Sequence, residues 1–168
     1  MMHFWNIVHY FVYKADYKLH LLFNKINPVL YCYRLTGAKK HFDKKGINPI
    51  IEINKAWERP DIGLSIMWAG GFMYVLFFLI CFGIINLISG ILQLEFDLKF
   101  YHFIILFIIS LLVNYFLLFK KNKYRMYFKK FDKMPKAEKK KWAWISLTVI
   151  LGILLFSIGS FVFMAHRL

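Results

Sequence analysis

KKNKYRMYFKKFDKMPKAEKKK, residues Lys120 to Lys141, carries eleven of the chain's twenty-three Lys and Arg residues against only Asp132 and Glu138. Apolar sequence lies on both sides of it. Neither 103–119 nor 142–165 contains an Asp, Glu, Lys, Arg or His, and a third such run covers 68–92. A helix needs about 20 mostly apolar residues to cross roughly 30 Å of hydrocarbon. The reading is therefore an all-α integral membrane protein with three spans, at about 65–92, 101–119 and 142–164, and a basic loop at 120–141 between the second and third. Three buried helices of a water-soluble core would need a polar shell, and the only sequence available to form it, residues 1–61, is itself rich in aromatics.

Inside the loop, Tyr124, Tyr127, Phe128 and Phe131 recur at helical spacing, so the second span is expected to continue as a basic amphipathic helix until Met134-Pro135 breaks it. The result is a basic helical hairpin. Its cations, among them Lys120, Lys121, Lys123, Arg125, Lys129, Lys130 and Lys133, suit the anionic headgroups of a membrane leaflet or a partner protein. Positive charge beside membrane spans points to lipid and topology, so no nucleic-acid partner is expected. Trp142 and Trp144 mark the point where the third span enters the bilayer.

Upstream, residues 1–61 form a cytosolic or interfacial region and 62–168 the membrane domain. Met1 to Asn27 has no Lys or Arg in its first residues, and its apolar stretch is broken by Asn6 and His9, so it is not read as a signal peptide. At helical spacing Phe4, Val8, Phe11, Ala15, Leu19, Leu22 and Ile26 share one face, and Asn6, Tyr13, Tyr17, His20 and Asn24 share the other. This predicts an amphipathic helix whose apolar face lies at the headgroup boundary or on the protein itself. Residues 29–35 fit a strand or a helical turn, and 36–46 read as a polar basic loop. Asn48-Pro49 predicts a capped helix through Glu58, and Asp61 is the expected cap of the first span. A short turn at 93–100, containing Glu95, Asp97 and Lys99, returns the chain to the second span.

Within the spans the polar and small residues predict where helices meet. Gly83, Asn86 and Gly90 share a face of the first span; Ser110 and Asn114 belong to the second; Thr148, Gly152, Leu155 and Gly159 share a face of the third, which also carries Ser157 and Ser160. Depth along antiparallel spans matches Asn86 with Ser157 or Ser160, matches Asn114 with Thr148, and keeps Asn86 away from Asn114.

None of the six histidines stands in a helical pair with a neighbouring carboxylate, and Cys32 and Cys81 lie in different regions, so no metal site, cofactor, disulfide or catalytic group is expected. Ion-coupled transport and intramembrane acid–base chemistry need a charge inside a span, and the three apolar runs carry none. The expected function is a non-enzymatic subunit or accessory protein of a membrane complex, associating with other subunits or with itself. The alternatives are a small oligomeric pore of holin or effector type and a lipid-active enzyme or carrier. Lys and Arg number ten in 1–61, one in the first turn, eleven in the basic loop and one after the last span. That alternation places the amino terminus in the cytoplasm and the carboxyl terminus outside. Nineteen lysines against four arginines suggest an AT-rich genome, and a bacterial cytoplasmic membrane is the expected location.

Overall fold

The computed structural model describes residues 2–93 and 99–167, and all regular structure among them is helical. The chain divides into two compact units, Met1–Phe11 with Gly71–Leu168, and Val12–Gly70. The helices are α1 (Met2–Ile26), α2 (Pro28–Arg34), α3 (Thr36–Lys44), α4 (Pro49–Glu58), α5 (Leu64–Leu92), α6 (Phe100–Asn114), α7 (Lys123–Asp132) and α8 (Lys136–Arg167).

Three helices are long and apolar enough to cross a membrane: Leu64–Leu92, Phe100–Asp132 counted through its break, and Lys136–Arg167. Each contains a stretch of at least 17 residues without a charged side chain, which suits lipid better than water. Val75, Ile88, Phe107, Leu155 and Ile158 are about half exposed or more on their outward faces. A contiguous surface of this kind is a liability in water and costs nothing against acyl chains. Of the turn between the first two spans, residues 94–98, with Glu95 and Asp97, lie outside the described residues.

The second helix does not continue smoothly into the basic loop. A π-helical turn at Tyr115–Phe119 and a 3₁₀ turn at Lys120–Asn122 separate α6 from α7, and Lys121 and Asn122 both take left-handed backbone conformations, with φ of 58° and 53°. Such conformations cost non-glycine residues energy, so the break needs compensating contacts. They come from side chains that reach the loosened carbonyls: Asn6 Nδ2 donates to Leu117 O at 3.1 Å and Lys123 Nζ to Phe116 O at 3.2 Å.

In the other unit, 36–44 is a helix rather than the expected loop. Gly46, at φ 63°, lets the chain turn back so that its N–H meets Asp43 O and the Ile47 N–H meets Phe42 O, closing the end of α3. Residues 28–34 are helical, and Asn48 caps α4 by accepting from the Ile50 and Ile51 N–H groups. Asp61 does not cap the first span. Hydrogen bonding from Arg59, at 2.9 and 3.1 Å, holds its carboxyl down at about 2, and the cap position falls to Gly63, whose carbonyl accepts from Met67 N. A Cβ at Gly63 would collide with the Arg59 carbonyl oxygen, so only glycine fits there.

Candidate functional site

In the unit containing the spans, the first turns of α1 are buried all round. Trp5, Asn6, Ile7, Val8, His9 and Tyr10 are all at most 7% exposed. Their packing partners are the residues the sequence assigned to a free aromatic face of the basic loop. His9 lies 5.3 to 5.9 Å, ring to ring, from Phe119, Tyr124 and Phe128, and Tyr10 packs against Phe128 and Phe131 while its hydroxyl donates to Asp132 at 2.7 Å. Tyr124, Phe128 and Phe131 are consequently buried within the chain and are not available to a leaflet. Burial without a hydrogen-bonding partner among the described residues lowers the His9 pKa to about 3, so its imidazole is neutral.

A polar ladder joins α1, α6 and α5. Trp5 Nε1 donates to Asn114 Oδ1 at 2.8 Å, Asn114 Nδ2 to Ser110 O at 2.9 Å, and Ser110 Oγ to Tyr74 O at 2.6 Å. Asn114 therefore spends its amide on α1 and its own helix. It does not meet Thr148, which is exposed on α8. The depth argument had no knowledge of α1 inserting beside Asn114.

On α5, Gly83 and Gly90 are points of close approach to α8. A Cβ at Gly83 would lie 2.6 Å from Phe156 and 3.3 Å from Ser160 Oγ, and one at Gly90 would lie 2.8 Å from Phe163 and 3.1 Å from Met164 Cα. Asn86 is fully buried on the same face, yet neither atom of its amide has a hydrogen-bonding partner among the described residues. Ser160 Oγ, one of the two partners expected from depth, instead donates to the backbone carbonyl of the other, Ser157, within α8. Asn86 and Asn114 do not hydrogen-bond each other. The inward seam of α8 is Ser146, Ser157, Ser160 and Met164, so the expected seam of Thr148, Gly152, Leu155 and Gly159 faces outward. Added Cβ atoms at Gly152 or Gly159 meet nothing within 4 Å.

The basic surface survives without its aromatics. Lys120, Lys121, Lys129, Lys130 and Lys133 are exposed, and Lys123 and Arg125 are half-buried. Lys120 sits 4.7 Å from the Phe116 ring and Arg125 Nε donates to the Tyr124 hydroxyl at 3.1 Å. Lys139 Nζ donates to Asp132 O at 2.8 Å.

In the unit 12–70, α1 turns the side expected to face water toward its neighbours. Tyr13 donates to Glu58 O; Tyr17 donates to the Glu58 carboxylate at 3.3 Å; Asn24 Nδ2 donates to Asn54 Oδ1 at 2.7 Å; and His20 lies 3.3 Å from that same oxygen. The His20 ring stacks on Trp57 at 4.1 Å and 11°. Burial lowers the His20 pKa, outweighing the Asn54 hydrogen bond and the charge of Asp16, which act upward. Ala15, Leu19, Leu22 and Ile26, from the apolar face expected at the headgroup boundary or on the protein itself, are exposed. Sequence periodicity separates the two faces of a helix but does not say which one the protein covers, and here four hydrogen-bonding side chains found partners on α4. No protein-family model, curated protein or solved structure matches the chain.

Proposed function

We propose that this chain is a non-enzymatic subunit or accessory protein of a membrane assembly, associating through the outward face of α8. The observation that carries the reading is an asymmetry among the span glycines. Glycine inside a helix costs about 1 kcal/mol relative to alanine. Gly83 and Gly90 meet that cost by admitting α8 closely, whereas Gly152 and Gly159 lie a turn or two from Thr148 and Leu155 with open space over them. Small residues on the outer face of a span let a second helix approach. An oligomeric pore is less well supported, because Asn86, Ser110, Asn114, Ser157 and Ser160 are turned inside the chain rather than toward a lumen between copies.

The distribution of Lys and Arg supports an amino terminus in the cytoplasm and a carboxyl terminus outside, with the lysines of α7 and its flanks facing anionic headgroups. The exposed Leu19, Leu22 and Ile26 edge supports an interfacial position for the second half of α1. Blue-native electrophoresis of solubilised membranes tests the association. The native chain of 20.2 kDa is expected in a larger complex, and Gly152→Leu with Gly159→Leu should release it without lowering the melting temperature of the dispersed chain. Unchanged migration of the double variant would refute the interface.

A further inference from the structure

We propose that the groove between α1, α2, α4 and the first turns of α5 binds an organic ammonium group, carried there by the headgroup of a membrane lipid. The groove is a cavity of about 600 Å³, within the usual size of small-molecule sites, and it lies wholly inside the unit 12–70. Its chemistry runs against that of the chain. Of twenty-three Lys and Arg residues none lines it, and Asp16 is the lining residue of fixed charge.

Asp16 Oδ2 is buried and accepts no hydrogen bond among the described residues. A buried acceptor left in that state is costly, more so when it bears charge, and a cation in the groove satisfies it. Trp57, Trp68 and Phe23 supply aromatic walls, and Trp57 is held in place by its stack with His20. A carboxylate among aromatic rings is the composition that recognises quaternary and primary ammonium groups, through charge and through the negative faces of the rings. An anionic ligand would meet Asp16 and no cation.

The rim identifies the source of the ammonium. Leu19, Phe23 and Trp68 are 52%, 55% and 66% exposed, and Trp68 lies in the first two turns of a helix long and apolar enough to span. An apolar rim at the end of a span suits a ligand whose tail stays in the bilayer, and a free cation has no use for it.

The test uses the full-length protein in maltoside micelles, labelled with 5-fluorotryptophan, with the Trp57 and Trp68 resonances assigned by Trp→Phe variants. Short-chain phosphatidylethanolamine or phosphatidylcholine is expected to shift both resonances saturably, and phosphatidylglycerol of the same chain length is not. Asp16→Asn should weaken the ethanolamine and choline lipids at least tenfold by order of magnitude. Phe23→Ala, at an exposed rim position, should weaken them several-fold and carries the test if Asp16→Asn fails to fold. Free choline should bind at least roughly tenfold more weakly than the lipid. Equal shifts with phosphatidylglycerol, or an unchanged midpoint in both variants, would overturn the ammonium site, and choline binding as tightly as the lipid would overturn the lipid source.

Discussion

Acid should release the amino-terminal turns of α1 through one residue. His9 is neutral in the folded chain, with its pKa near 3, and regains its ordinary value of 6.5 once α1 leaves the aromatic cage. Above pH 6.5 both states are neutral and the cage keeps its full stability. As the pH falls below 6.5 the released state takes up a proton that the packed state refuses, so stability declines down to about pH 3. At about 1.4 kcal/mol per pH unit the loss is roughly 2 kcal/mol at pH 5, a near thirtyfold rise in opening, and roughly 5 kcal/mol over the whole window. Hydrogen exchange at the Ile7 to Tyr10 amides reads this opening directly, once intrinsic rates are corrected for pH. His9→Phe preserves an aromatic ring without the titration, so the difference between the two proteins isolates His9 from other acid effects. Equal loss of protection in both between pH 7 and pH 5, or an imidazole titrating near 6.5 in the folded protein, would refute the reasoning.

Trp5→Phe leaves Asn114 Oδ1 buried without its donor and should cost about 1–3 kcal/mol, seen as a lower melting temperature in detergent. Asn86→Leu removes a buried amide that makes no hydrogen bond among the described residues and should raise the melting temperature, by up to about 1–3 kcal/mol in stability; a lower value would show that the amide has a partner. Gly90→Ala should cost about 1–3 kcal/mol, more than Gly83→Ala, because its Cβ meets the Met164 backbone as well as a ring. Gly152→Ala should be neutral or stabilising by up to about 1 kcal/mol in the dispersed chain. Replacing Lys129, Lys130 and Lys133 with Gln should weaken the full-length protein's preference for anionic lipid in nanodiscs and reduce its salt sensitivity, at about 1 kcal/mol or less per cation; an unchanged salt response would remove the hairpin from lipid binding.

The three helices long and apolar enough to cross a membrane could be read from the sequence because the bilayer imposes a length rule on uninterrupted apolar runs, and α4 could be read because Asn48-Pro49 is a local cap. Helix α3 was concealed by composition. AKKHFDKK has no apolar stripe, and its helix is finished by the left-handed Gly46 without burying a side chain. The faces of α1 were separable but their roles were not, since Tyr13, His20 and Asn24 pair with α4 only after the chain has folded back. On α8 two stripes of small residues compete, Ser146, Ser157 and Ser160 against Thr148, Gly152 and Gly159, and spacing alone gives them equal claim. Asn114 had a polar partner, but it was an indole 109 residues away, a separation no periodicity reports. The cation-recognising groove was likewise illegible, because its walls come from four helices.

The ladder from Trp5 to Asn114 and the bond from Asn6 to Leu117 also set an order of assembly. The two bonds join residues 109 and 111 positions apart. At roughly 5–20 residues per second, the earlier partner waits on the order of 5 to 20 s for the later one to be synthesised. During that interval Trp5, Asn6 and His9 have no site to enter. The first turns of α1 therefore reach their final packing only once Asn114 and Leu117 have been made.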